Sequence, residues 1–251
     1  MKSFSDIGFV LKIYELPEAS KLISVWCKRF GKKMTIAKGA GKILSRKGGS
    51  LDLLNLAKFS FHQGKTYALI TEVELQNDYH TLKEDLKNIS NVFYLLDILN
   101  HFLPEEETTS ALFDEFLNFL ELYLITQQNH ELLIAAFELK ILSYFGFEPF
   151  LEKCLHCQKP LQPDTPRIAA TAGQAGYLCY KHFSPKEFQQ FLVNDTIIKL
   201  QKYLNTEPLT QILNFAYDAK LWRRLRNVHK TWIEGILEQH LKSNVFKDQI
   251  K

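Results

Sequence analysis

The sequence predicts an α+β protein, in which a small closed barrel of five β-strands is followed by a helical domain. Two periodicities support this fold class. Apolar residues alternate with a period of two through the first 80 residues, and from Thr81 onward they recur about every three and a half residues. A cluster of potential metal ligands, three cysteines and one histidine, interrupts the helical part.

Five short strands account for the first 80 residues. The alternating stretches are Phe9 to Tyr14, Leu22 to Cys27, Met34 to Ile36, Phe59 to Phe61 and Tyr67 to Leu75. Gly31 and the Gln63-Gly64 pair are among the breaks between them, and the pair indicates a tight hairpin. Five short strands suit a small barrel, most often the oligonucleotide/oligosaccharide-binding (OB) fold. We therefore expect an OB-fold nucleic-acid-binding domain at residues 1–80 and an α-helical domain at residues 81–251.

Amphipathic helices are predicted after the barrel. The expected helices run from Leu82 to Phe102, from Pro104 and Glu105 through Tyr123, from His130 to Tyr144, and near residues 195–204, 209–216 and 219–241. Gly146 ends the third of them. Ser184-Pro185-Lys186-Glu187 resembles a capping box with proline at the first helical position, so another helix is expected to begin just beyond His182.

The cysteine cluster has the spacing of a metal site, Cys154-x2-Cys157-x21-Cys179-x2-His182. Four protein ligands would close a tetrahedron around Zn2+, which is typical of a structural site, so we expect a zinc knuckle embedded at residues 150–183. His156 is an alternative fourth ligand, which we favour less because Cys179-x2-His182 repeats the two-residue gap. A redox Cys-x-x-Cys and solitary buried cysteines are the competing interpretations.

Composition narrows the class of protein. A hydrophobic fraction of 46% is ordinary for a folded protein, and the sequence shows neither an apolar run long enough to cross a bilayer nor the pattern of a secretory signal. Four cysteines with metal spacing favour a reducing compartment over a disulfide framework. We therefore expect a cytoplasmic protein with no membrane partner.

Positive charge is concentrated in the N-terminal third. Residues 1–80 contain 13 Lys/Arg against 7 Asp/Glu, whereas the remaining 171 residues contain 18 against 21. The segment from Lys38 to Gly49 is basic and rich in glycine. A phosphate-binding P-loop aligned on Gly41-Lys42 would need Gly at position 36 and Ser or Thr at position 43, but this chain has Ile36 and Ile43. A flexible basic loop between barrel strands can instead follow a nucleic-acid backbone, and the alternative is a solvated charged loop.

Two further sets of residues extend this interpretation. Aromatic residues lie near the cations of the barrel, and an exposed one could stack on a base. These residues are Tyr14, Trp26, Phe30 and Phe61. A second basic patch is predicted on the last helix, where Arg223, Arg226 and Lys230 share a face; it would bind nucleic acid or an acidic tail, or it is a solvated face.

Motifs of catalysis are missing from the sequence. It contains no Gly-x-Ser-x-Gly elbow and no His-Glu-x-x-His, and Glu72 and Glu74 have no recognisable partner for acid–base work. These observations favour a binding protein over an enzyme.

The order of these features resembles the bacterial RecO family of recombination mediators, over nearly the whole chain. The resemblance depends on short segments in a fixed order. They are Gly8-Phe9-Val10-Leu11-Lys12, Glu18-Ala19-Ser20-Lys21-Leu22, Gly31-Lys32-Lys33, Ala37-Lys38-Gly39-Ala40, Phe137-Glu138-Leu139-Lys140-Ile141-Leu142 with Gly146, and Cys154-x2-Cys157. In place of the second Cys-x-x-Cys usual in family members with a full zinc site, this chain has Cys179-x2-His182.

The resemblance implies a protein that binds single- and double-stranded DNA and anneals complementary strands, in DNA repair in the bacterial cytoplasm and at the nucleoid. It further implies contacts with RecR and with the single-strand-binding protein, and indirect action on RecA. The phosphate contacts that it implies are Lys12, Lys21, Lys32, Lys33, Lys38, Lys42, Arg46 and Lys47. A zinc-dependent nucleic-acid-processing enzyme and an RNA-binding factor are the alternatives.

Overall fold

The structure is a computed structural model, and it describes residues 3–42, 45, 47–126, 129–162, 167–171, 174–182, 191–193, 195–213, 219–238 and 241. Residues 1–115 belong to one compact unit and residues 116–241 to a second. Within the described ranges, no helix is both long enough and apolar enough to cross a membrane.

The first unit contains a closed barrel of five strands. The strands are β1 (Ser3–Leu16), β2 (Ser20–Cys27), β3 (Gly31–Ala37), β4 (Leu56–His62) and β5 (Ala68–Asn77). Their order around the barrel is β1-β2-β3-β5-β4, and β4 returns to pair with β1. All pairs are antiparallel except β3 with β5, which run parallel and are joined only through Thr35 with Ala68 and Ile36 with Leu69. This order is that of an OB fold, so the predicted fold class is confirmed.

Alternate residues of each strand fill the barrel. Ile23, Val25, Phe59 and Phe61 are fully buried in its interior, as the period-two pattern predicts. Strand β1 is longer than predicted, and its register with β2 shifts between Val10 and Lys12. Such a bulge bends a long strand, which allows β1 to pair with both β2 and β4.

The outer face of β2 is covered by protein. Helices α1 (His80–Glu84) and α2 (Leu86–Phe102) follow the barrel. The Trp26 indole donates a hydrogen bond of 2.8 Å to Thr109 Oγ1, and Ser24 donates one of 2.7 Å to Asn100 Oδ1 in the last turn of α2.

The predicted helix 82–102 is divided in two, because Asp85 is extended and its carboxylate caps α2 by accepting from the N–H of Asn88.

The prediction of a helix that opens at Pro104 and Glu105 is wrong. Helix α3 (Ser110–Ile125) begins later, since residues 105–107 lie along strand β3 instead. Lys32 and Glu105 form a parallel bridge, and the N–H of Glu106 donates to the Lys32 carbonyl at 3.0 Å. Gly31 permits this approach: it has a φ of +67°, and a Cβ placed on it would lie 2.0 Å from the carbonyl oxygen of Glu107.

The second unit combines helices with a small sheet. Its helices are the C-terminal part of α3 with α4 (His130–Tyr144), α5 (Asp195–Thr206), α6 (Leu209–Ile212) and α7 (Ala219–Leu237). Four short strands have the order β6 (Phe150–Cys154), β8 (Ala175–Cys179), β7 (Arg167–Thr171) and β9 (Phe191–Val193). This sheet was not predicted. Helix α4 has the predicted bounds, and Gly146, whose φ is +80°, follows its C-terminus as predicted. The predicted capping box at 184–187 lies outside the described residues.

An acid–imidazole pair is buried between α4 and α7. The carboxylate of Glu138 and the Nδ1 atom of His229 lie 2.8 Å apart, and both side chains are fully buried. Removal of one partner would leave the other polar group buried without its hydrogen bond, which typically costs about 1–3 kcal/mol. The pair accounts for a fully buried glutamate in the Phe137–Leu142 segment.

We expect Gly31→Ala to destabilise the first unit. The substitution forces an L-residue into a left-handed conformation and places a methyl group against the backbone of Glu107, so the cost should be at least about 1–3 kcal/mol. Urea unfolding measures it. Gly49→Ala is the matched control, because a Cβ at Gly49 meets nothing within 4 Å. Equal stability of the two variants would contradict the role of Gly31.

Candidate metal centre and nucleic-acid interface

The four predicted metal ligands come together in the second unit. The possible ligand atoms of Cys154, Cys157, Cys179 and His182 all lie within 4.8 Å of one another. His182 Nδ1 is 3.4 Å from Cys154 Sγ and 3.2 Å from Cys179 Sγ. Zinc bonds of about 2.3 Å to sulfur and 2.0 Å to nitrogen give tetrahedral sulfur-to-nitrogen edges of about 3.5 Å. The four residues are therefore positioned to bind a metal ion.

Local backbone structure places the first two cysteines. Cys154 ends β6, and the N–H of Gln158 donates to its carbonyl at 2.9 Å to close a tight turn. Gln158 takes a left-handed φ of +58° after this turn, and the N–H of Cys154 bonds the carbonyl of Lys159 on the returning chain. The turn exposes both thiols of the Cys-x-x-Cys to one centre, which is what the two-residue gap predicts.

Strand β8 and a short 3₁₀ helix supply the other two ligands. Cys179 is the last residue of β8, and His182 ends the 3₁₀ turn Tyr180–His182 that follows it. Strand β6 runs parallel to β8, and the N–H of Leu155 donates to the carbonyl of Tyr177 at 2.9 Å. His156 is placed outside the ligand cluster, with its ring stacked on His182 at a centroid distance of 4.3 Å.

The thiols of the cluster influence one another. Burial is the largest single influence on Cys154 and raises the pKa of its thiol, but backbone N–H groups of Cys157, Cys179 and His156 and the ring of His182 together bring that pKa down to about 6. Burial and the neighbouring thiols of Cys154 and Cys157 raise the pKa of Cys179. Thiolates this close repel one another, so a bound cation stabilises the cluster.

The metal cluster is joined to the helical core through β8. The Trp232 indole on α7 donates to the carbonyl of Gly176 at 3.1 Å, and its ring packs edge-on against Tyr177 at 5.4 Å. The Tyr177 hydroxyl donates to Gln201 on α5. These contacts lie within one or two residues of the point where β8 meets the Leu155 backbone. A metal ion that fixes the cluster would therefore also stabilise the packing of β8 against α5 and α7.

At one end of the barrel, the predicted phosphate-binding residues Lys32 and Lys33 are engaged by protein groups. Lys32 Nζ donates to the Asn100 carbonyl at 2.9 Å, and burial lowers the pKa of Lys32 against the opposing effect of Glu105. Lys33 is 12% exposed and lies 3.3 Å from Glu106. Both belong to the end of the barrel where residues 105–107 cover β3.

Most of the other predicted cations gather at the opposite end of the barrel. Here the loop after β3 meets the β1–β2 hairpin, and the N–H of Gly41 donates to the Ala19 carbonyl at 2.8 Å. Lys38 and Lys42 are exposed on this loop, and Lys47 donates to the carbonyl of Ile70 at 3.0 Å. We call this region, residues 12–21 and 37–47, the basic rim.

The strands contribute two more lysines to the basic rim. Lys21 is 19% exposed and lies 3.4 Å from Glu15, which pairs with it across the hairpin. Lys12 is partly exposed, with its Nζ atom 5.6 Å from the ring centroid of Tyr14. Arg46, also a predicted phosphate contact, lies outside the described residues.

The aromatic candidates separate by exposure. Trp26 and Phe61 are fully buried, and Phe30 packs against the barrel core. Tyr14 is 43% exposed. Tyr67, which the sequence predicts as a strand residue and not as a nucleic-acid contact, is 38% exposed at the opposite end beside Lys32 and Lys33. Strand β5 begins one residue later, at Ala68, so Tyr67 lies just outside the strand that its alternation predicts.

The predicted patch on α7 is less exposed than its helical spacing indicates. Arg223 is exposed, whereas Arg226 and Lys230 are partly buried and have interaction partners within the protein. Arg224, beside Arg223, is also exposed.

Family models match both parts of the chain. The model described as Recombination protein O N terminal matches residues 1–79, and the one described as Recombination protein O C terminal matches residues 83–244. The chain belongs to the RecO family. The sequence resemblance is thereby confirmed.

Curated relatives cover the whole length of the chain. DNA repair protein RecO of Desulforamulus reducens is 28% identical, over 100% of this chain and 96% of its own. The proteins of the same name from Pelotomaculum thermopropionicum and Moorella thermoacetica are each 27% identical, over 99% and 98% of this chain and 95% and 91% of their own. These names describe a DNA repair protein and no catalytic activity, in agreement with the prediction of a binding protein.

We expect His182→Ala to lose the bound metal and His156→Ala to keep it. The reason is that, among the histidines that the structure describes, only His182 brings a ring nitrogen to within 3.4 Å of two thiols. The metal content per chain of the purified variants is measured by atomic emission. The midpoint temperature of thermal unfolding should be lowered only in His182→Ala. The reverse pattern would assign the fourth ligand to His156.

Proposed function

We propose that this protein is a DNA-binding recombination mediator, which anneals complementary single strands and helps to load a recombinase onto gapped DNA coated with single-strand-binding protein. Membership of the RecO family supports a role in DNA repair. The observation that carries the mechanism is the basic rim, where a loop with exposed Lys38 and Lys42 is hydrogen-bonded to the hairpin beside Lys21.

The chemistry of annealing explains why a basic surface is needed. Two strands repel through their phosphates, and lysines that neutralise phosphates release condensed counterions and so favour binding. No covalent bond in the DNA has to be made or broken. We assign the contacts to Lys12, Lys21, Lys38, Lys42, Arg46 and Lys47. Lys21 and Lys47 would exchange Glu15 and the Ile70 carbonyl for phosphate, and Lys32 and Lys33 are candidates if DNA likewise displaces the Asn100 and Glu106 contacts.

The remaining assignments follow from this function. The barrel domain at residues 1–80 holds DNA, and the helical domain at 81–251 contains the structural metal. We propose Zn2+ for it, since three thiolates and an imidazole are the ligands of a closed zinc site. RecR and the single-strand-binding protein are the proposed direct partners and RecA an indirect one, in the bacterial cytoplasm at the nucleoid. The exposed Arg223 is a candidate contact for an acidic protein tail.

Lys38→Ala combined with Lys42→Ala and Arg46→Ala tests the basic rim. Loss of three phosphate contacts should weaken DNA binding by at least about tenfold and lower the salt slope of single-strand binding by about 2. Fluorescence anisotropy over a series of salt concentrations measures both. The matched control replaces Lys58, Lys65 and Lys87 by alanine, which removes the same charge from exposed positions elsewhere in the first unit.

Annealing of complementary oligonucleotides coated with single-strand-binding protein tests the function itself. We expect the natural protein and the control triple variant to anneal them, and the basic-rim variant to be slow. Products of unchanged length are expected as well. Shortened products that disappear with a chelator would instead indicate a zinc-dependent enzyme, and equal affinity of the two triple variants would refute the assignment to the basic rim.

A further inference from the structure

The basic rim borders a strip of partly exposed apolar side chains on the outer face of the barrel. Tyr14 on β1 lies opposite Leu22 on β2, and Leu22 lies opposite Ile36 on β3. Residues directly opposite in antiparallel strands share a face, so these three side chains form one row across three strands. The interior is filled instead by their neighbours in sequence, such as Ile13 and Ile23.

Helix α2 leaves this row partly uncovered. The next row on the same face contains Lys12, Ser24 and Met34, and Ser24 is bonded to Asn100 of α2. One row further out, Leu22 and Ile36 are only partly buried and Tyr14 is 43% exposed. The outer surface of the barrel thus changes from helix-covered to open between Ser24 and Leu22.

Cations lie at both sides of the row. Lys12 places its ammonium 5.6 Å from the centroid of the Tyr14 ring, and Lys38 follows β3 directly. An exposed aromatic ring with aliphatic neighbours and flanking lysines suits a nucleotide, whose base needs a flat apolar surface and whose phosphate needs a positive charge. A duplex cannot use this surface, because its bases are already stacked and paired.

We propose that Tyr14, with Leu22 and Ile36, is a platform on which an unpaired base of single-stranded DNA stacks while Lys12 and Lys38 hold the adjoining phosphates. The proposal rests on the proposed DNA-binding function and adds to it the discrimination between single strand and duplex. The lysines of the basic rim bind both forms, and the platform binds only the single strand.

Tyr14→Ala should separate the two forms of DNA. Loss of one stacking contact lowers affinity for single strands about fivefold to a hundredfold, and affinity for duplex should be unchanged. Tyr67→Ala is the matched control, because Tyr67 is similarly exposed at 38% but lies at the other end of the barrel. Anisotropy with a labelled dT oligonucleotide and a duplex of equal length measures both affinities.

A fluorescent variant provides a second form of the same test. The three native tryptophans, Trp26, Trp222 and Trp232, are all fully buried, so the indole introduced by Y14W should be the tryptophan most accessible to a ligand. Stacking with bases should quench its fluorescence when dT oligonucleotide is added, and duplex at the same phosphate concentration should leave it bright.

The outcomes distinguish the platform from the function. Loss of single-strand affinity alone in Tyr14→Ala, with Tyr67→Ala unchanged, supports the platform. Unchanged binding, or an equal loss for both forms of DNA, overturns it even where the Lys38, Lys42 and Arg46 variant weakens both. If the natural protein binds neither form, the proposed function itself fails.

Discussion

The covering of the outer barrel face by α2 and by residues 105–109 determines what the barrel can bind. Trp26, a full-sized aromatic on the outside of β2, is completely buried because its indole bonds Thr109 and its ring packs against Phe113. Residues 105–107 run beside Gly31, Glu106 engages the Lys33 ammonium, and the carbonyl of Asn100 on α2 accepts from Lys32. Phosphate binding there would have to displace these bonds, whereas Lys38 and Lys42 at the opposite end are exposed.

The metal cluster plays a comparable part in the second unit. The sheet fully buries Ile168, Ala169 and Tyr177, although its strands are only three to five residues long. A metal ion bound by Cys154 and Cys179 would fix β6 against β8, and the next residues of β8 contact α7 through Trp232. His229, whose ring stacks on that of Trp232, forms the buried pair with Glu138 that fixes α7 against α4. The metal cluster, β8, α7 and α4 are thus connected by successive contacts, so metal binding would also stabilise the helix packing.

Period and spacing were sufficient to predict the barrel, helix α4 and the four ligands, because each depends on local chemistry: alternation in a strand, a glycine after a helix, a two-residue gap between thiols. The remaining features depend on contacts distant in sequence. Glu105 and Glu106 look like the first turn of a helix, yet they bond the edge of β3. The strands β6 to β9 do not alternate apolar with polar residues, so no period of two marks them. Lys32 and Lys38 are equivalent in the sequence, and only the position of α2 makes one engaged and the other exposed.

Annealing requires contacts that hold a strand before it pairs and release its bases afterwards. Phosphate contacts alone cannot provide this asymmetry, because a duplex carries more charge per unit length than a single strand and is held at least as firmly by lysines. The proposed platform would act in the opposite sense, since pairing would remove the base from Tyr14 and stack it within the duplex. With both proposed kinds of contact on one barrel, pairing would give up only the stacking contribution, and the product would be loosened while its backbone stayed attached. The strength of the Tyr14 contact relative to the Lys38 and Lys42 contacts would then set how readily the annealed product leaves.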